Sequence, residues 1–168
     1  MATRPPADDH WDAVRPGEVV AALPERIDAG LVFIGRVRTP FVDRDACPRR
    51  GALDGPLCRL EVDPPWHPAL TGITVGMDLE VLYWMHLARR DLVLQSPRHD
   101  ATRYGTFALR SPVRPNPIAT SIVRVEAIER GCLQVRGLDC VDGTPLLDLK
   151  PDRAQFQPKA PPTPGEAP

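Results

Sequence analysis

The sequence predicts an all-β fold, mainly antiparallel, with its strands closed or stacked into a compact barrel or sandwich. Three observations carry that reading. Short apolar runs with two-residue alternation recur through the middle of the chain. Turn-forming residues separate them, and no stretch sustains a 3.6-residue period. At 168 residues the chain has the length of one domain with a sizeable core.

Taken in order, residues 1–27 read as an N-terminal arm, partly disordered. "MATRPPADDHWD" is rich in proline and acid, and "WDAVRPGEVVAALPERI" admits one short helix or a loose arm. The folded domain is expected over residues 28–152. "LVFIGRVRTPF" (Leu31 to Phe41) starts apolar on both faces, then alternates through Arg36, Val37 and Arg38. In "LCRLEVD", Cys58, Leu60 and Val62 alternate with Arg59 and Glu61. "DLEVLYWMHLA" sets Leu79, Val81, Tyr83 and Met85 on one face and Leu82, Trp84 and His86 on the other, which suits a central strand. "TSIVRVEAIE" aligns Ser121, Val123, Val125 and Ala127. "CLQVRGLDCV" and "PLLDLK" close the set. Residues 153–168 form a proline-rich tail with little to bury after Phe156, and read as disordered.

Composition excludes several function classes. With 21 basic and 22 acidic residues the net charge is -1, so no global basic field advertises nucleic acid. A local patch remains open, because arginines gather in the middle of the chain. No segment reaches the roughly 18 apolar residues of a membrane helix, and the N-terminus lacks the apolar run of a signal peptide. Cys47, Cys58, Cys132 and Cys140 form no metal-ligand spacing, which reads as reduced thiols in a cytoplasmic protein with no metal. No G-x-G-x-x-G follows a strand and opens a helix, which argues against a Rossmann nucleotide site.

Four local constellations carry chemistry. In "RYGTFALRSPVRPNPIATS" (Arg103 to Ser121), Pro112, Pro115 and Pro117 fix their own φ and push Arg114 and Asn116 to extended backbone. The loop is stiff, and its Arg110 suits a carboxylate or phosphate clamp, although a plain structural corner accounts for the prolines equally well. "CPRRG" is a proline-introduced turn with two arginines. "LDCVDGTPLLDLKPD" holds a hairpin turn at Asp142-Gly143, beside Asp139 and Asp148, which are able to bind a ligand or cap the turn. His86 ends an apolar strand, as a rim residue or as a base.

Together and in this order, "FIGRVRTPF", "PRR", "VLYWMH", "GTFALRSPVRPNPIATS" and "LDCVDGTPLLDLKP" resemble the TsaA-like, or TrmO, family over about Val32 to Pro151. That family includes S-adenosylmethionine-dependent tRNA methyltransferases acting on threonylcarbamoyladenosine beside the anticodon. The resemblance implies a compact β-barrel with short helices, working as a homodimer, with S-adenosyl-L-methionine bound near the subunit interface. Carried over residue by residue, it implies donor contacts at Pro48, Arg49 and Arg50; Met85 and His86; Arg110; Thr120; and Arg136, Gly137, Leu138 and Asp139. His86 and Asp142 are the candidates for easing a proton from the acceptor. Arg36, Arg38, Arg89, Arg90, Arg114 and Asn116 are the candidates for contacting tRNA.

Three positions depart from the family pattern. Arg50 replaces a glutamine, Thr120 replaces a leucine or methionine, and Asp152 stands where an aromatic follows Lys150-Pro151. The chain also runs out into its proline tail where some relatives carry a further C-terminal domain. A methyltransferase on a small-molecule acceptor and a non-catalytic donor-binding module are therefore the alternatives.

Overall fold

Alternation of buried and solvent-facing side chains governs the strands of this computed structural model, which describes residues 13–24, 28–96 and 102–154. Its strands are β1 (Val19–Val20), β2 (Gly35–Arg38), β3 (Cys58–Val62), β4 (Asp78–Trp84), β5 (Leu92–Gln95), β6 (Tyr104–Gly105), β7 (Ile118–Glu129), β8 (Cys132–Arg136) and β9 (Pro145–Pro151). Two 3₁₀ stretches, Pro64–Leu70 and Thr106–Ala108, supply the short helices. Among the described residues no helix is long and apolar enough to cross a membrane.

Six strands pair in the order β2-β3-β8-β7-β4-β9, and β9 returns to β2, closing a barrel whose ladders are all antiparallel. The inward residues form the core. Val37, Leu60, Leu79, Val81, Val123, Leu133, Val135 and Leu146 are each 0% exposed. Such aliphatic burial is the main stabilising term, about 1.5–3 kcal/mol per side chain. β4 is central, as its two apolar faces predict, with β7 on one side and β9 on the other. A second, three-stranded sheet, β1-β5-β6, carries the chain from the end of β4 to the proline loop.

Several expectations are corrected. The first strand of the barrel, β2, begins at Gly35, not Leu31. Leu31, Val32 and Phe33 are exposed and precede the ring, which the chain joins where Ile34 N–H donates to Leu146 O at 2.9 Å. In the N-terminal arm, Val19–Val20 is neither helix nor loose chain but pairs with β5. Ala127 leaves the inner face of β7, because the register shifts between Val125 and Ala127 and sets it opposite the outward Gln134. The short strands β5 and β6 were not foreseen. The tail beyond Ala154 and the arm before Ala13 lie outside the described residues.

Candidate active site

The sequence-predicted donor segments meet at the end of the barrel where β4 finishes, and Asp139 links them. Asp139 follows β8 and is half-buried. Its Oδ1 accepts from Tyr83 Oη at 2.6 Å and from Ser121 Oγ at 3.1 Å. Its Oδ2 accepts the Gly51 amide at 3.0 Å, which ties the Cys47–Gly51 turn to this strand end. Tyr83 Oη and Ser121 Oγ are also 2.8 Å apart. Burial, and then the Asp139 charge, push the Tyr83 phenol well above its ordinary range, so it stays protonated as a donor.

Glycine makes this convergence possible. A Cβ on Gly51 would lie 1.8 Å from Gly137 O, and one on Gly137 would lie 2.4 Å from Ile122 O. Gly137 also has φ +118°, which disfavours any side chain. Turn, connection and β7 therefore stack backbone on backbone. Leu138 is buried, while Arg136 bonds Gly55 O and faces Glu126 at 3.7 Å.

The proline loop is rigid for reasons beyond proline. Buried Gln95 donates to Thr106 Oγ1 at 2.8 Å and to Val113 O at 2.6 Å, and Thr106 Oγ1 donates to Leu92 O at 2.7 Å. Arg114 donates to Ser111 O at 2.9 Å, Thr106 O at 3.4 Å and Leu109 O. Arg114 is thus a brace inside the loop, not a free phosphate contact. Arg110, two residues after this anchored 3₁₀ turn, is exposed and donates to Thr120 Oγ1 at 3.4 Å. No carboxylate pairs with Arg110 among the described residues. Met85 is tied to the same loop, its amide donating to Pro117 O at 2.8 Å.

The other basic candidates divide. Arg38 is engaged by Glu61 at 2.8 Å and Asp142 at 3.5 Å, and Arg89 by Asp91 at 2.7 Å. These charges are already compensated. Arg36 donates to Gly143 O at 3.2 Å; Arg90 donates to Pro115 O at 2.6 Å and lies 5.4 Å above the Trp84 ring. Neither has a carboxylate partner among the described residues. Arg49, Arg50, Pro48 and Asn116 are exposed, the first three on the turn that Asp139 holds.

Of the two candidate bases, Asp142 is committed elsewhere. Its Oδ1 accepts Thr39 N–H at 3.1 Å and its Oδ2 faces Arg38. His86 lies at the rim just past β4, where desolvation and, to a smaller degree, the Arg36 charge hold its imidazole below the ordinary value. It is therefore neutral near pH 7 and able to accept a proton. The four cysteines are free, and burial pushes each thiol up, leaving none activated as a nucleophile. Among the described residues no three metal-ligating side chains gather.

Two clefts open on the surface, and neither is this site. One, of about 480 Å³, lies between Arg38, Thr39, Leu57, Arg59 and Asp142. The other, of about 520 Å³, lies at the opposite end of the barrel, lined by Trp66, Leu70, Met77, Leu149 and Pro151. Arg110, Thr120 and Asp139 line neither of these two; the converging segments, with Pro48, Arg49, Arg50 and Arg110 exposed, form a ledge at the barrel rim. Asp152, the departure that removes an aromatic, also lies far from the ledge. Its amide donates to Asp78 O at 2.9 Å, at the start of β4 and about 20 Å of strand from its end.

Sequence reasoning missed Tyr83 and Ser121 as members of this site. The signal was available: each places a polar group on a face that alternation marks as buried.

Fold and ledge together define a small closed antiparallel barrel whose rim gathers loop backbone, several arginines and the Asp139 carboxylate. Residues 36–157 match the tRNA-methyltransferase O N-terminal domain, and the chain belongs to this TrmO, or TsaA-like, family. It is 53% identical over 152 residues to the "Probable S-adenosyl-L-methionine-binding protein VirR" of Rhizobium radiobacter, covering 90% of this chain and 87% of that one. A crystal structure of TrmO from Pseudomonas aeruginosa matches with TM-score 0.62 and 34% identity, over 86% of this chain and 64% of its own. A mouse tRNA (adenine(37)-N6)-methyltransferase is 41% identical over 63 residues, 38% of this chain and 15% of the mouse protein. The chain thus spans less than two thirds of the Pseudomonas structure and a small part of the mouse enzyme.

Proposed function

We propose that the protein is an S-adenosyl-L-methionine-dependent methyltransferase that N-methylates threonylcarbamoyladenosine beside the anticodon of tRNA. One observation carries the reading. The turn at Gly51, the end of β4, the start of β7 and the β8–β9 connection, distant in sequence, are joined through Asp139, with Arg110 set against Thr120 beside them. Family membership and the names of the relatives support the donor and the reaction class.

The residues fit the donor. Exposed Arg110, with no acid partner among the described residues, suits its carboxylate. Asp139 has three donors on two oxygens, which leaves room for about one more hydrogen bond, such as a ribose hydroxyl. When bound, S-adenosyl-L-methionine supplies an electrophilic methyl group on a sulfonium. The chain's task is then mostly positioning, because an in-line displacement needs little acid–base help. His86 accepts the proton of the acceptor nitrogen, and the strand-end backbone from Arg136 to Asp139 flanks the adenosine. Arg36 and Arg90 face tRNA phosphates.

The reading includes a cytoplasmic homodimer. Phe107, 86% exposed on the anchored 3₁₀ turn, offers apolar surface beside Arg110 for a second subunit to cover. Compensation of Arg38 and Arg89 favours a small-molecule acceptor as the second reading. Mass spectrometry of tRNA nucleosides from cells lacking the protein decides between them. Loss of the N-methylated nucleoside is expected, and an unchanged nucleoside profile would overturn the tRNA assignment.

A further inference from the structure

We propose that Tyr83, Ser121 and Asp139 form a partly buried latch whose function is to position the Cys47–Gly51 turn for donor binding. None of them needs to react, and Tyr83 and Ser121 act through Asp139 as positioning residues. This inference rests on the donor-binding reading given above.

Tyr83 is 2% exposed and occupies the inner face of β4 in line with Leu79 and Val81. Ser121 shares the inner face of β7 with Val123 and Val125. Aliphatic side chains would fill both places without bringing a carboxylate into partial burial, which is costly unless fully hydrogen-bonded. Instead two hydroxyls converge on Asp139 Oδ1, and the opposite oxygen is left to a single loop amide, that of Gly51. The carboxylate orientation is therefore set from inside the barrel and read out at the turn. Because Gly51 and Gly137 touch backbone to backbone, the turn has no side chain of its own at the contact. The Asp139 hydrogen bond fixes how the arginines before Gly51 are presented.

The conservative variant separates a specific latch from general packing. Asp139→Ala removes both connections. Asp139→Asn still offers one carbonyl oxygen to Gly51 if the two hydroxyls reverse and accept from its amide nitrogen. Two measurements on the full chain are needed: hydrogen exchange of the Gly51 amide by NMR without donor, and calorimetric titration with S-adenosyl-L-methionine. Asp139→Ala is expected to speed Gly51 exchange and to weaken donor binding, each about tenfold, the scale of one lost hydrogen bond. Asp139→Asn is expected to recover most of both, and Tyr83→Phe to give a smaller loss of both.

Unchanged Gly51 protection in Asp139→Ala overturns the latch. Faster exchange with wild-type donor affinity overturns its role toward the donor. If Asp139→Ala does not fold, Tyr83→Phe carries the same two tests. Should the wild-type chain itself not bind the donor, the proposed function falls and takes the latch's role with it. Loss of affinity in Tyr83→Phe, which keeps the Asp139 carboxylate, isolates the latch from a direct Asp139–donor contact, and wild-type affinity in Tyr83→Phe overturns it.

Discussion

In the proposed reading, Arg110 and His86 divide the work at the ledge between holding the donor and handling the proton. Arg110 makes one long contact to a hydroxyl and, among the described residues, none to a carboxylate. Arg110→Ala is expected to weaken donor binding by about 2 kcal/mol, as for a hydrogen bond to a charged group. Calorimetry giving wild-type affinity would remove Arg110 from the site. For His86 the active form is the neutral imidazole. Desolvation, with Arg36 as a lesser cause, lowers its pKa, so the neutral form persists below the ordinary midpoint of about 6.5. The acid limb of the pH–kcat profile is therefore expected below pH 6.5. Arg36→Gln takes away a depressing charge and moves that limb upward. A limb that ignores both Arg36→Gln and His86→Gln assigns the proton to another group.

At the scale of elements, the proline loop shows how stiffness is built in layers. Proline restricts φ, but the buried Gln95–Thr106–Val113 hydrogen bonds hold the loop's entrance to β5. Thr106→Val keeps the shape and leaves the Leu92 carbonyl without its donor. About 1–3 kcal/mol of stability is expected to be lost in denaturant titration. A loss near zero would mean that proline alone sets the loop. The long strands β3, β4, β7 and β8 were legible because alternation over five or more residues is a strong signal. Strands β1, β5 and β6 were not, since two to four residues hold too few alternations and their partners are equally short strands of the same small sheet. Asp142 read as a possible base for a related reason. The Asp-Gly turn was visible, but its partners Thr39 and Arg38 are about a hundred residues away in sequence.

For the molecule as a whole, charge is the informative property. Sequence alone counts arginines; only the fold shows that Arg38 and Arg89 face acids and that Arg114 faces carbonyls. Arg36 and Arg90 remain, so tRNA binding is expected to depend on salt with a log–log slope of about -1.4, about 0.7 for each of roughly two contacts. A slope steeper than about -4, measured by filter binding, would require basic surface beyond these two residues. The segments proposed to hold the donor stood out through their order along the chain. Their linkage through Tyr83, Ser121 and Asp139 was not, because it depends on which inward-facing groups the ring brings within reach.

Closure of that ring has a bearing on how the protein behaves when crowded. Each of the six barrel strands is flanked by its own neighbours, and the unpaired margins of the small sheet, at Val19–Val20 and Tyr104–Gly105, are only two residues long. A foreign chain finds almost no selvedge on which to begin weaving, so association between copies must proceed face to face.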